Sequence, residues 1–384
     1  MSNADRPMLV IVSSVHDYRM KRRGSIQALA DAYVRQGYRT VFLSVRFSAL
    51  SMMKGDPRAF LAKQANQFET RNGVECYLWR TPLHPFASRR PGLNHATAPL
   101  HELFAAWPNR DVDRLFAEAD VVMIESGMGV IFAPRVRRLN PRALLVYRAS
   151  DTLDTIGAHP LLQRKLEQSA NVFDHYCLLA PAMAPQFRFA AGRIFLVPQG
   201  VDPRDYEEIG PSPYIAGTRN AVCAGSMLFD RRVFDAAGPA FPDVQFHVIG
   251  CGEGYRGGGN VRVYDEMNFR ALLPYLKHAD VGIAPYRQAP AARYLADSSM
   301  KLTQFAHLRR PAVCPHFAVG DHPHRFGYDV ARPQTVIAAM RAALQDRFED
   351  DARKPLSWDE LAPRLLRPQD YEQTRIPEAM FEEA

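Results

Sequence analysis

The segment Gln199-Gly-Val-Asp-Pro-Arg-Asp-Tyr-Glu-Glu-Ile-Gly-Pro-Ser-Pro213 decides how this 384-residue chain is organised. It mixes Pro, Gly and acidic residues and keeps neither strand alternation nor helix spacing, so it reads as a linker. Before it, apolar runs at Met8 to Ser13, Thr40 to Val45, Val121 to Glu125, Leu144 to Arg148, Tyr176 to Ala180 and Ile194 to Pro198 each lead toward a helix-like stretch. After it the series restarts at Asn220 to Ala224, Gln245 to Gly250, Val261 to Tyr264, Val281 to Pro285 and Pro311 to Cys314. Strand-then-helix repetition is the pattern of βα units around a parallel sheet. Two such sets predict an α/β chain of two doubly wound, Rossmann-like domains facing each other across a cleft, where the carboxyl ends of both sheets meet a ligand. The expected division is 1–198, a linker at 199–213, a second domain at 214–350, and a helical tail at 351–384 expected to pack back on the first domain. Helix spacing recurs at Val336, Ala339, Met340 and Leu344, and Trp358 to Leu366 reads as a further helix.

Composition narrows the class. At 47% hydrophobic residues the chain is too apolar to be disordered. Its five cysteines form no C-x-x-C pair, which excludes a zinc-ribbon spacing and a secreted disulfide framework. No apolar stretch reaches the roughly 18 residues of a membrane-spanning helix, so a soluble or peripherally bound protein is expected. Charge is uneven. Residues 1–110 hold 16 Lys and Arg against 7 Asp and Glu, a balance of +9, which leaves −2 of the net +7 for the remainder. A basic first third suits an anionic partner such as a lipid headgroup or a diphosphate, although a solvated basic face has the same composition. No nucleic-acid reading module accompanies it, and nucleic acid is not expected as a partner.

The second domain carries the clearer phosphate chemistry. Val222-Cys-Ala-Gly-Ser226-Met227 runs a strand into a Gly-Ser turn, which aims backbone N–H groups at an anion. Phe246-His-Val-Ile-Gly-Cys-Gly-Glu-Gly254 ends a strand in G-x-G-x-G, but Tyr255 to Asn260 cannot open a helix and no acidic residue follows at the expected distance. A nicotinamide dehydrogenase is therefore disfavoured. Val281-Gly-Ile-Ala-Pro-Tyr286 delivers a tyrosine to the sheet end, and Asp297-Ser298-Ser299-Met300-Lys301 is read as opening a helix whose serines, N–H groups and lysine hold a diphosphate. The same residues also fit an N-cap followed by a solvated lysine.

In the first domain, Leu144-Leu-Val-Tyr-Arg148-Ala-Ser-Asp151 ends a strand in a carboxylate, placed either as a general base or as the N-cap of the next helix. Glu125, in Met123-Ile-Glu-Ser-Gly127, sits comparably, or serves as a partner holding Arg148 or the loop backbone. His16-Asp17 lies in the first βα loop, where an Asp17-assisted His16 base is conceivable. Asp111-Val-Asp113 has a D-x-D spacing but precedes a helical run, and His322-Pro-His324 has no third ligand nearby, so no metal is expected. The stretches Phe42 to Lys54 and Tyr77 to Arg90 interleave large apolar groups with Arg and Lys, which fits either a surface dipping into headgroups or ordinary core strands with basic loops.

Taken together, the strings Ser13-Ser14 with His16-Asp17, Cys76-Tyr-Leu-Trp-Arg-Thr81, His84-Pro-Phe86, Val146 to Asp151, Gly225-Ser-Met-Leu-Phe-Asp230, Phe246 to Gly250, Gly282 to Tyr286, Tyr294 to Leu302 and Arg325-Phe-Gly-Tyr328 resemble the xanthan-type β-1,2-glucuronosyltransferases, the GumK-like glycosyltransferase family 70 with a GT-B fold. They run in order over nearly the whole chain. The resemblance implies an inverting, metal-independent transferase that needs no cofactor. It would move glucuronate from UDP-glucuronate to a mannose of a polyprenyl-diphosphate-linked oligosaccharide in bacterial exopolysaccharide assembly. Its place would be the cytoplasmic face of the inner membrane, bound peripherally. The base role falls on Asp151. Donor contacts fall on Met227, Glu266, Met267, Tyr286, Ser299, Met300, Lys301 and Gln304, beside the Ser226 and Ser298 of the motif reading. His16, Asp17, Glu125 and Arg148 stand as acceptor-side or supporting groups, and Arg148 or Arg293 as readers of the donor carboxylate. The competing expectations are a UDP-sugar epimerase of the same architecture and a non-catalytic glycolipid binder.

Overall fold

The structure is a computed structural model and describes residues 6–88, 91–251, 254–348 and 355–376. Chain contacts divide it at Pro198 and at Trp358: the stretch up to Pro198 together with that from Trp358 onward makes one unit, and Gln199–Ser357 makes the other. The segment expected as a linker is thus part of the second unit. It folds through a 3-10 turn at Pro203–Tyr206, and Val201 bridges to Ser357.

The first unit runs β1 (Met8–Ser13), α1 (Ser25–Arg35), β2 (Arg39–Phe47), α2 (Ala49–Met53), β3 (Phe68–Arg71), β4 (Val74–Arg80), α3 (Pro91–Ala105), α4 (Arg110–Glu118), β5 (Val121–Glu125), α5 (Ala133–Leu139), β6 (Leu144–Ala149), α6 (Pro160–Gln168), β7 (His175–Leu178) and β8 (Ile194–Leu196). The strand order is β3-β4-β2-β1-β5-β6-β7-β8, with only β3 antiparallel. All six residues of β1 and all five of β5 are buried, as continuous apolar strands covered on both faces must be. In α1 the buried Ile26, Leu29, Ala30 and Tyr33 make one helical stripe, and the Gln27 side chain accepts the Gly24 N–H at 2.7 Å to close the first turn.

The second unit runs β9 (Arg219–Ala224), α7 (Arg232–Ala240), β10 (Val244–Ile249), β11 (Val261–Tyr264), α8 (Phe269–His278), β12 (Val281–Ile283), α9 (Leu295–Ser298), α10 (Met300–His307), β13 (Ala312–Pro315), β14 (Arg325–Tyr328) and α11 (Val336–Gln345). Its six strands are all parallel in the order β11-β10-β9-β12-β13-β14. Glycine is required at Gly282, where a Cβ would come within 2.5 Å of the Phe305 ring, so α10 lies directly on β12.

After the second unit the chain returns to the first as α12 (Trp358–Leu366), whose Leu361 and Leu365 are fully buried. Tyr33 donates to the Ala362 carbonyl at 3.0 Å, Arg35 pairs with Asp359 at 2.7 Å, and His175 Nε2 bonds the Leu365 carbonyl at 2.8 Å. These contacts dock α12 on α1 and the end of β7. Residues 351–354 and 377–384 of the expected tail lie outside the described residues.

The hairpin β3–β4 and the edge strand β14 have no counterpart among the strands read from the sequence, and of the two readings of Tyr77 to Arg90 the stretch up to Arg80 follows that of a core strand. Of the following loop, Arg89 and Arg90 lie outside the described residues, as do Gly252 and Glu253 of the glycine run. The helix read as starting at Asp297 instead begins at Met300, because Ser299 is its N-cap and accepts the Leu302 N–H.

Buried neutral imidazoles make stability pH-dependent in both units. Burial, then Arg46 and Arg58, push His84 down to about 4, and burial, then Arg262, push His247 down to about 4. An unfolded imidazole titrates near about 6.5, so the unfolded chain binds these protons first and the stabilisation present above that value is lost as pH falls toward 4. Urea unfolding at pH 5 should give stabilities lower than at pH 7.5 by on the order of 1 kcal/mol per unit of the protein, and equal values would contradict this assignment.

Candidate active site

Strand order reverses between β1 and β5 in the first unit and between β9 and β12 in the second. At such points neighbouring loops diverge and open a crevice above the strand ends. His16 and Glu125 lie at the first of these places, and Tyr286 and Lys301 at the second.

In the first unit, parallel register sets Ser44 beside Ser13, and Glu125, Arg148 and Cys177 in line along the same row. Glu125 is 4% exposed, and its carboxylate accepts Ser13 Oγ at 2.6 Å and Ser150 Oγ at 3.2 Å. His16 Nδ1 lies 3.3 Å from the same carboxylate. Burial pushes Glu125 up, but His16, Ser13 and Arg148 outweigh it and hold it below the ordinary glutamate value. Burial likewise disfavours the His16 imidazolium, and Glu125 more than offsets it, so His16 is raised.

Asp151 is half-buried at the carboxyl end of β6. Ser126 holds its main chain from both sides: Ser126 Oγ donates to the Asp151 carbonyl at 2.8 Å and accepts the Asp151 N–H at 3.3 Å. Asp151 does not cap a helix, since the next one starts at Pro160 behind His159.

Asp17 does not assist His16. Fully buried, it accepts Arg19 Nε at 2.8 Å, Arg19 Nη2 at 2.9 Å and Ser44 Oγ at 2.8 Å, and Arg19 reaches on to Glu69 of β3. Burial raises the Asp17 carboxyl, but Arg19 and Ser44 together hold it below its ordinary range. Adjacent residues on an extended loop point apart, which is why the pair splits. Arg148 is also fully buried, and its guanidinium nitrogens meet no hydrogen-bond acceptor among the described residues. Its charge faces Glu125, and so buried a side chain cannot reach a donor carboxylate; Arg293 is exposed.

In the second unit, Tyr286 is 3% exposed and shares a 2.5 Å hydrogen bond with Ser299, so both hydroxyls brace the turn before α10. Ser298 Oγ is buried without a partner among the described residues. Lys301 Nζ stands 5.1 Å from the Tyr286 ring centre and 4.0 Å from Cys223 Sγ, which places its charge at the β9/β12 reversal. Ser226 and Glu266 are exposed, and Met227, Met267, Met300 and Gln304 are half-buried. The Gln304 side chain bonds the Tyr206 hydroxyl.

The D-x-D pair lies in the first turn of α4, where Asp113 pairs with Arg135 at 2.8 Å. His322 and His324 have separate carboxylate partners, Asp297 at 3.8 Å and Asp346 at 2.8 Å. Among the described residues no three His, Cys, Asp or Glu groups converge as a metal site would require. Sequence reasoning missed the supporting roles of Ser13, Ser126 and Arg19; for the two serines the available signal was a hydroxyl at the end of an otherwise apolar strand.

Comparison with known proteins gives these sites a context. Residues 11–179 match the family described as glucuronosyltransferase GumK, N-terminal domain. The chain is 42% identical over 381 residues, 98% of its length and 93% of the relative's, to the UDP-glucuronate:glycolipid 2-beta-glucuronosyltransferase of Xanthomonas campestris pv. campestris. Among solved structures it resembles the UDP-forming α,α-trehalose-phosphate synthase of Burkholderia vietnamiensis, with TM-score 0.56, 12% identity, and 95% and 96% of the two chains covered. It also resembles Anabaena HepE in complex with UDP, with TM-score 0.55, 12% identity, and 98% and 97% covered. At such identities the likeness establishes the fold, which is GT-B.

The β5 loop tests the local geometry. Gly127 has φ +127°, and a Cβ there would lie 2.4 Å from Ser14 Oγ, the acceptor of the Met128 N–H at 3.1 Å. Gly127→Ala should destabilise the protein by about 1–3 kcal/mol through strain and displacement of Ser14. An unchanged urea midpoint in that variant would refute the close approach.

Proposed function

The chain belongs to the GumK glucuronosyltransferase family, and on that premise we propose that it moves glucuronate from UDP-glucuronate to a mannose of a polyprenyl-diphosphate-linked oligosaccharide. The enzyme is a glycosyltransferase; donor, acceptor and stereochemistry are the finer reading. The observation that carries it is the division of chemistry between the two reversal points. A half-buried carboxylate with a clamped main chain, Asp151, stands at one, and a lysine beside a braced tyrosine and a helix start, Lys301, at the other.

Asp151 takes the proton of the acceptor hydroxyl as that oxygen attacks the anomeric carbon of the glucuronate. The bond from that carbon to the diphosphate oxygen breaks, and its electron pair leaves with UDP. Lys301 and the N-terminal end of α10 meet the charge that develops on the leaving diphosphate. One in-line displacement inverts the anomeric configuration, and the lysine charge supplies what a metal supplies in other transferases. An epimerase would need no acceptor, and a binder would need no nucleotide; the 42% relative, named for transfer to a glycolipid, favours transfer.

A lipid-linked acceptor calls for contact with a membrane surface. No helix among the described residues is long and apolar enough to cross a membrane. Among the described residues all exposed large apolar side chains except Ile215 belong to the first unit, including Met53 at 86%, Leu83 at 64% and Phe60 at 58% exposed. Lys54, Lys63 and Arg80 are exposed in the same segments. Apolar tips among cations suit peripheral binding to an anionic leaflet, at the cytoplasmic face of the inner membrane in this reading, during exopolysaccharide assembly.

Transfer of labelled glucuronate from UDP-glucuronate into a lipid-extractable fraction should persist in EDTA and vanish in Asp151→Asn. Lys301→Ala should weaken UDP binding about tenfold or more in calorimetry, since a hydrogen bond to a charged group is worth about 1.5–3 kcal/mol. Retained turnover in Asp151→Asn would remove it as the base, and loss of transfer in EDTA would remove metal independence. Separately, sedimentation with vesicles containing anionic lipid should carry down the protein, and Met53→Glu with Leu83→Glu should reduce the bound fraction; unaltered binding would move the contact elsewhere.

A further inference from the structure

Two loops at the β1/β5 reversal are tied to a single buried charge. His16, from the loop after β1, meets Glu125 Oε2 through Nδ1, while its side chain remains 35% exposed. Ser150, from the loop after β6, binds the other oxygen of Glu125, and Asp151 is the next residue along. Ser126, the residue after Glu125, holds the Asp151 main chain. Thus Glu125 and its neighbour fix both the imidazole and the main chain of the residue that follows Ser150.

The charges around His16 come from each element packed against it. Glu125 faces it from β5, Asp151 from the loop after β6, and Arg22 from its own loop. The start of α1 lies against the Nε2 side through Gly24, which carries no charge. Arg148 of β6 faces Glu125, and Asp17 next door is consumed by Arg19. Glu125 and Asp151 favour the imidazolium, whereas burial and Arg22 oppose it. Were His16 neutral, Glu125 would keep Arg148 as its facing cation but lose the charge that also faces Asp151, and a less compensated carboxylate favours the protonated form of its like-charged neighbours.

We propose that His16 is a positioning residue for the acceptor-side base, an imidazolium seated on Glu125 that cancels the Glu125 charge and keeps Asp151 in its proton-accepting form as pH falls. This rests on the assignment of Asp151 as the base. His16 touches neither substrate nor the reacting atoms in this role. It acts only through the charge it presents to Asp151.

Two measurements on the full chain test it. With isotope-labelled histidine, the His16 titration midpoint read by NMR should fall in Asp151→Asn relative to the unmodified protein. In the transfer assay, the acid limb of the kcat/KM profile should move to higher pH by about half a unit to one unit in His16→Gln, a loss of about threefold to tenfold on that limb. His16→Lys, which restores a cation without the ring, should return the limb toward its original place, a rescue that a purely structural role would not give. A His16→Gln limb that stays where it was, or a midpoint unmoved by Asp151→Asn, would overturn the proposal. Activity lost at every pH in His16→Gln with turnover retained in Asp151→Asn would overturn it too, by making His16 the base. If Asp151→Asn is dead while the His16→Gln limb is unmoved, the base assignment survives and only the His16 role falls.

Discussion

A carboxylate buried where the strand order reverses cannot remain charged without partners, and much of the first unit is arranged around supplying them. Removing one partner from a buried ion pair costs several kcal/mol, far more than a solvent-facing pair is worth. Glu125 meets that constraint with two hydroxyls, an imidazole and the field of Arg148. Each comes from a different strand or loop: Ser13 ends β1, Ser150 follows β6, His16 lies in the first βα loop. The parallel register brings them together, because residues at matching positions on adjacent strands share a face. The ionisation of one side chain thereby fixes the geometry of three loops.

The second unit repeats the topology with the opposite charge. At its reversal stand a lysine, a tyrosine and a capping serine in place of a buried acid. Ser299 serves two masters there, closing the first turn of α10 and anchoring Tyr286, so the lysine two residues on is delivered in a fixed first turn. The missing side chain of Gly282 lets α10 settle onto β12, which sets how high Lys301 stands over the sheet. A cation beside a helix start is the arrangement that welcomes an anion, and a carboxylate on the other unit is the arrangement that accepts a proton.

The core strands were legible because a parallel sheet buried on both faces demands continuous apolar runs, and Met8 to Ser13 and Val121 to Glu125 occur with the bounds read from the sequence. The antiparallel edge strand Phe68–Arg71 escaped because it is exposed and reads Phe-Glu-Thr-Arg, too short and polar to signal a strand. The tail reads as a helix returning to the first domain, but the contacts that hold α12 there, from Tyr33 and His175 to residues far along the chain, are ones no local pattern names. The sequence reads Ser299 either as a diphosphate contact or as an N-cap; in the structure it caps α10, and its hydroxyl also bonds Tyr286, thirteen residues earlier, a partner no local pattern names.

Three acids near the same strand ends show what sequence position leaves open. Asp17, Glu125 and Asp151 each follow or end an apolar strand, and by position alone each is a candidate base. Packing sorts them. Asp17 is saturated by Arg19 and Ser44 and wholly buried, which makes it a clasp between the first loop and β3. Glu125 is nearly as buried and spends its oxygens on two hydroxyls and an imidazole, so it organises its neighbours. Asp151 is held by its main chain at a half-buried strand end, so its position is set while part of it stays open to solvent. A base must combine fixed placement with access to the proton it removes. Of the three, Asp151 is the one that combines a restrained backbone with partial exposure, which is why the proposed base role falls on it.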